Sequence, residues 1–258
     1  MDLSERFGAA VEVAEDAGAI ALEYYRNRGR LTIEQKGVQD HVSEADRETE
    51  RVIRERLANL FPQDGFVGEE SGTAGVAEGV GAWVVDPIDG TQPFLLGLPT
   101  WCVSIAYVHD GATQIGVIRN PVTAETYAAL RGRGARLDGA QLHVVDAASL
   151  RDGLTGMGCS SRTTPEEIGH IAERLRAAGG MYHRTGSGAL SLAYVAAGQL
   201  MGYLEPYMNS WDCLAGLLLV EEAGGRVCDF LADNGVAGGG RILASAPGVY
   251  GELESLFP

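Results

Sequence analysis

At 258 residues, with 45% hydrophobic and 21% charged side chains, the chain can bury a large core and reads as one big soluble domain or two intimate lobes. A formal net charge of −15 excludes nucleic-acid binding through general electrostatics, but it leaves open a small phosphorylated substrate whose charge a divalent metal would balance locally. No apolar run reaches the roughly 18 residues of a membrane span, and Met1-Asp2-Leu3-Ser4-Glu5-Arg6 lacks the layout of a secretory signal, so no membrane partner and a cytoplasmic location are expected.

Leu3, Phe7, Ala10, Val11, Ala14, Ala17, Ile20, Ala21, Tyr24 and Tyr25 recur at three- and four-residue spacing, which predicts a long amphipathic helix. A strand is expected over 31–35. Lys36 follows it, the one lysine against nineteen arginines, either chosen for its compact ammonium or left by chance. His41 reads as an ordinary polar loop residue. Ser43, with Asp46 at the third helical position, has the pattern of a capping box and opens a second helix that runs to about Leu60. A short strand from Phe66 then ends in the acids Glu69 and Glu70. After a Gly-rich loop, 72–81, the apolar run Trp83-Val84-Val85 ends in Asp86. If these two strands are neighbours, their terminal carboxylates meet.

Pro87 removes a backbone donor and turns the chain, Asp89 follows, and Gly90 lets the backbone come close to a ligand. Thr91 adds a hydroxyl, and Gln92-Pro93 can open a short helix whose free N–H groups favour an anion. In isolation Asp-Pro-x-Asp-Gly is also an ordinary turn. Two acids, a carbonyl at Ile88, a hydroxyl and a helix start together suggest a hard cation meeting a phosphate.

Strands are expected over 101–109, 114–119, 126–131 and 135–137, an antiparallel meander turning at Asp110-Gly111, Asn120-Pro121 and Asp138-Gly139. A further strand over 154–159 precedes a helix that opens at Thr164-Pro165 and ends at Gly179-Gly180. Gly186-Ser187-Gly188 leads into a helix over 189–197, and a strand over 201–205 leads to Trp211-Asp212 and an apolar helix. Asp212 there can simply favour the helix dipole. Strands over 226–230 and 242–244 and a C-terminal helix from about Val249 finish the chain. Cys102, Cys159, Cys213 and Cys228 are scattered, without zinc-site spacing, and are assigned no chemistry.

Gly68-Glu69-Glu70-Ser71, then Trp83 to Thr91, then Trp211-Asp212 with Ala215-Gly216 and Glu222-Ala223-Gly224-Gly225 form an ordered set. Over essentially the whole chain it resembles the inositol monophosphatase family. The resemblance implies an α/β fold, a layered αβαβα sandwich. Its N-terminal lobe, 1–150, would carry most metal ligands, and its C-terminal lobe, 151–258, would carry Asp212 and the substrate contacts. It also implies a homodimer and Mg2+-dependent hydrolysis of a small phosphorylated metabolite by a metal-activated water. Glu69, Asp86, the Ile88 carbonyl, Asp89 and Asp212 match the family's ligands for two ions, with room for a third, weaker one near Glu69 and Glu70. Asp46 and Thr91 match the pair that orients the attacking water, and Glu70 is counted with them in the catalytic set. Gly90 and Thr91 lie where the phosphate is held. Gly186, Ser187, Gly188 and Glu205, with Asp212, fall where the rest of the substrate is met.

The expected substrate is inositol 1-phosphate or a related polyol or sugar phosphate. The run from Gly90 to Trp101 also resembles the histidinol-phosphate phosphatase branch, which is the alternative, and a regulatory or binding protein on the same fold is the reading from another class. Two departures from the common pattern, Gln92-Pro93 for Thr-Asn and Asn209 where a His often precedes Trp-Asp, lie near the substrate and remove no ligand.

Overall fold

The computed structural model describes residues 2–31, 33–37 and 40–258, and the side chains of Lys36 and His41 lie outside the described residues. The N-terminal elements are α1 (Leu3–Arg26), β1 (Ile33–Gly37), β2 (Asp40–Ser43) and α2 (Glu44–Leu60). Next come β3 (Gly65–Gly68), β4 (Gly72–Ala74), β5 (Ala82–Asp89), α3 (Thr91–Leu96), β6 (Cys102–His109), β7 (Ala112–Asn120), β8 (Glu125–Leu130), β9 (Ala135–Leu137) and β10 (Ala140–Gln141). The C-terminal half holds β11 (Leu154–Met157), α4 (Pro165–Ala177), β12 (Met181–His183), α5 (Gly188–Ala196), β13 (Gly202–Asn209), α6 (Ser210–Glu222), β14 (Arg226–Val227), α7 (Phe230–Asn234), β15 (Gly239–Ser245) and α8 (Tyr250–Glu254).

Strands β3 to β10 form one eight-stranded sheet, β10-β9-β8-β7-β6-β5-β3-β4, and β11 to β15 a five-stranded one, β12-β11-β13-β15-β14. Period-two alternation in β5 sends Trp83 and Val85 to one face, against Val13, Ala17, Ile53 and Leu57 of α1 and α2. Val84 faces the other way, into a core with α5 and α6 that also takes Tyr203 and Ile242 from the second sheet. The far face of that sheet packs Leu204 and Leu243 against Ile171 and Leu175 of α4 and Leu253 of α8. The layers therefore run helix, sheet, helix, sheet, helix, the αβαβα sandwich expected. Helix α6 is apolar nearly all round because it lies between the two sheets.

The structure departs from the expected elements in several places, and His41, read as a loop residue, lies in strand β2. The strand expected over 226–230 ends at Val227, because the Asp229 side chain accepts from the Ala232 N–H and starts α7, which puts Phe230 in a helix. Strand β13 runs on to Asn209 instead of ending near Glu205; Pro206 offers no N–H, and the pairing with β15 shifts register between Glu205 and Met208 instead of stopping. Strands β2, β4, β10 and β12 have no counterpart among the expected elements; β4, β10 and β12 are short edge strands with every residue exposed, so none of the three shows alternation.

Candidate active site

Strands β3 and β5 lie parallel with Gly68 opposite Val85, and the Glu69 N–H donates to the Val85 carbonyl at 3.2 Å, so Glu69 and Asp86 leave the sheet side by side. Asp86 and Asp89 stay paired with β6, opposite Ser104 and Cys102, and the register shifts between them, so a bulge at Pro87-Ile88 separates the two acids. The Asp86 Oδ1 accepts the Ile88 N–H at 2.9 Å and fixes this bend. Gly90 then takes φ +93°, a left-handed conformation, with Thr100 O and Ser187 Cβ so near that a side chain would meet both.

Asp212 comes from the second half of the chain, at the third position of α6. Its Oδ2 accepts the backbone N–H and the Nδ2 of Asn209, each at 3.1 Å. Arg162, lying over the Tyr207 ring, donates in turn to Asn209 Oδ1 at 3.0 Å. Asp89 is fixed from the start of α5: its Oδ2 accepts from Ser187 Oγ and, at 2.7 Å, from the Ala189 N–H. These constraints bring carboxylate oxygens of Asp86, Asp89 and Asp212 within 4.8 Å of one another.

Three acids so close, two of them buried and Asp212 half-buried, repel one another. Burial, then Glu69, Asp89 and Asp212, pushes the Asp86 carboxyl well above the usual carboxylate range. Asp89 is pushed up to about 7 by burial and then by Asp212, and Asp212 is raised by burial. Without a positive partner the group keeps protons that a cation would displace. The donors are hard oxygens, which suit Mg2+. Cys102 Sγ, 3.8 Å from Asp89 Oδ2, stays a thiol because burial raises its pKa.

Helix α2 supports this group from behind. Its buried face is Asp46, Thr49, Glu50, Ile53 and Leu57, polar in the turns near the site and apolar beyond. Asp46 Oδ2 accepts from Ser43 N and Oγ at 2.9 and 2.7 Å, completing the capping box. Thr91 Oγ1 lies between Asp46 Oδ1 at 3.5 Å and the Ile88 carbonyl at 3.3 Å. Burial raises Asp46 to about 6. One turn along, the Glu50 carboxylate accepts the N–H groups of Glu70 and Ser71, each at 2.8 Å, and so holds the turn that presents Glu69.

A cavity of about 270 Å³ opens over the acids. Of the residues singled out by sequence, Glu69, Asp86, Ile88, Asp89, Gly90, Thr91, Gly186, Ser187, Gly188, Glu205 and Asp212 line it. Asp46 and Glu70 are not in the lining. Asp46 sits behind Thr91, and Glu70 lies close enough to Asp46 to help raise its pKa. Ser187 has its hydroxyl turned onto Asp89, away from a ligand. Glu205 is pushed up to about 8, chiefly by burial.

Glu50 and Tyr203 were missed by the sequence reading. Glu50 follows Asp46 by one turn on the same helix face, and Tyr203 precedes Glu205 by two residues on one strand face, so spacing from a suspected residue was the available signal in both cases. Arg184 also reaches the cavity wall from the segment before Gly186.

A model of the inositol monophosphatase family matches residues 2–256. An inositol-1-monophosphatase of Rhizobium meliloti is 37% identical over 247 residues, covering 95% of this chain and 88% of the relative. A Haemophilus influenzae protein named Nus factor SuhB is 34% identical over 247 residues, covering 95% and 92%. Among solved structures, an inositol monophosphatase from Anabaena superposes with a TM-score of 0.85 at 31% identity, covering 100% of this chain and 98% of that one. With the sandwich, the acidic floor and a match that runs almost from end to end, the chain belongs to the inositol monophosphatase family.

Proposed function

We propose that this protein is a Mg2+-dependent phosphate monoester hydrolase acting on inositol 1-phosphate or a related polyol or sugar phosphate. The observation that carries the reading is the convergence of Asp86 and Asp89, from the first half of the chain, with Asp212, from the second, within 4.8 Å on the floor of one cavity. A purely structural role gives no reason to gather three mutually repelling acids, two of them buried.

Glu69, Asp86 and the Ile88 carbonyl would hold one ion, and Asp86, Asp89 and Asp212 a second, with a weaker third near Glu69 and Glu70. Bound divalent ions supply Lewis acidity and neutralise the charge of the transferring phosphoryl group. Asp46, fixed by Ser43, and Thr91 would orient the attacking water and take its proton; a carboxyl near 6 suits that work close to neutral pH. Gly90 and the start of α3 would receive the phosphate, and Glu205 with the 186–188 backbone would meet the alcohol. Phosphate release from inositol 1-phosphate, histidinol phosphate and sugar phosphates, with Mg2+ and with chelator, tests the reading. Mg2+-dependent release from the polyol ester is expected, preference for histidinol phosphate would replace the substrate assigned here, and no release from any ester would overturn the reading.

The relatives named Nus factor SuhB favour a second reading, a regulatory role on the same fold that does not depend on catalysis. The net charge of −15 favours a protein over a nucleic acid as the direct partner in that case. Under either reading we place the protein in the cytoplasm as a homodimer. No described helix is long and apolar enough to cross a membrane. Edge strand β12, exposing Met181 and Tyr182, is the surface that supports self-association.

A further inference from the structure

Tyr203 and Glu205 lie two residues apart on β13, so both side chains stand on one face of the sheet, and both line the cavity. They are 3% and 6% exposed, so neither can change partner by turning to solvent. The Tyr203 hydroxyl donates to Glu205 Oε2 at 2.5 Å, and Glu205 takes no other hydrogen bond among the described residues. Burial, then Glu205, holds the Tyr203 pKa well above its ordinary value, so the phenol keeps the proton it donates.

The backbone leaves room for this pair at Gly158, where a Cβ would lie 2.6 Å from Glu205 Cδ and would also strike Tyr203 Oη. With one carboxyl oxygen tied down by Tyr203, the other is left for a ligand.

We propose that Tyr203 is the positioning residue that sets substrate preference: by occupying one oxygen of Glu205 and fixing its rotamer, it leaves a single, oriented oxygen that selects a phosphate ester whose alcohol carries further hydroxyls. The inference rests on the phosphatase reading and deepens it. A site built to bond a hydroxyl discriminates strongly against an ester that lacks one. Tyr203 itself does not touch the substrate hydroxyl; it acts through Glu205.

The test compares kcat and KM of the full-length parent, Tyr203→Phe, Glu205→Gln and the double variant on inositol 1-phosphate and on p-nitrophenyl phosphate. The quantity read is the ratio of kcat/KM between the two esters. Tyr203→Phe is expected to lower that ratio about tenfold, mainly through KM for the polyol ester, the loss of one well-placed hydrogen bond. Adding Tyr203→Phe to Glu205→Gln is expected to change the ratio less than twofold, because the two residues act as one unit. Should Tyr203→Phe not fold, Tyr203→Met, which also removes the donor, takes its place and is expected to lower the ratio in the same way. A Tyr203→Phe protein with the parent's ratio, or effects that multiply in the double variant, would overturn this inference while leaving the phosphatase reading in place. A parent that releases phosphate from neither ester overturns both.

Discussion

Gly68→Ala tests how the Glu69 turn is held. The backbone φ at Gly68 is not positive, so the strand accepts alanine and the whole effect is steric. The new Cβ would lie 2.6 Å from Glu50 Cδ and 2.7 Å from Phe66 Cε1, whereas carbon atoms in contact prefer about 3.5–4.0 Å. Glu50 must withdraw by about 1 Å, which takes its two 2.8 Å bonds to the Glu70 and Ser71 N–H groups past hydrogen-bond range. Each bond to a charged group contributes about 1.5–3 kcal/mol net. Allowing for partial relaxation, the loss is about 2–4 kcal/mol, and at roughly 2–4 °C per kcal/mol for a domain of this size the Tm falls by roughly 5–15 °C. Because Glu69 rides on the same turn, the Mg2+ concentration for half-maximal phosphate release should also rise. Gly169→Ala, with nothing within 4 Å of its Cβ on exposed α4, is the control and should gain about 0.5–1 kcal/mol. Thermal unfolding by circular dichroism and a Mg2+ titration provide the readouts. A Gly68→Ala protein that melts with the parent at the parent's Mg2+ requirement would refute the proposed role of Glu50.

Asp46 near 6 and Asp89 near 7, both above the ordinary 3.8, keep protons in the folded state that the unfolded chain has already lost. For these groups stability is fully present below about pH 4 and falls as pH rises through 7, so Mg2+ should raise the metal-free Tm more at pH 8 than at pH 5. Calorimetry with and without Mg2+ checks it, and an equal rise at both pH values would contradict it. Asp212→Asn removes one of three crowded charges and keeps an acceptor for the Asn209 N–H, so metal-free stability at pH 8 should rise while phosphate release falls at least about a hundredfold; melting and kinetics on one preparation decide it. If the parent is the homodimer proposed above, Met181→Glu on edge strand β12 should yield a monomer by light scattering; a variant that stays dimeric would place the interface elsewhere, and a monomeric parent would overturn the proposed dimer.

What could be read from the sequence follows from local patterning. Two apolar runs ending in Glu69 and Asp86 announced adjacent strand ends, and the parallel pairing of Gly68 with Val85 bears this out. Ser43 and Asp46 announced the start of α2, and the capping box is present. Asp212 carried an even signal, since an acid in a first helical turn has an ordinary use with the helix dipole; the family resemblance decided it. Glu50 was invisible because a glutamate in a helix rich in Glu and Arg reads as solvated, and only the tertiary fold turns it inward to the Glu70 turn. Ser187 was legible as a helix start, but its bond to Asp89, ninety-eight residues earlier, was not. The missed edge strands β4 and β12 bury nothing, and without burial there is no hydrophobic period to detect.

On the proposed reading Asp86, shared between both halves of the acidic floor, makes the cavity a divalent-ion site that acts on phosphate esters. Calorimetric Mg2+ binding, paired with phosphate release from inositol 1-phosphate, tests this for the parent and Asp86→Asn. The parent should bind Mg2+ and release phosphate only in its presence, and an Asp86→Asn variant should remain folded but do neither. Mg2+-dependent release at the parent rate from Asp86→Asn would contradict it.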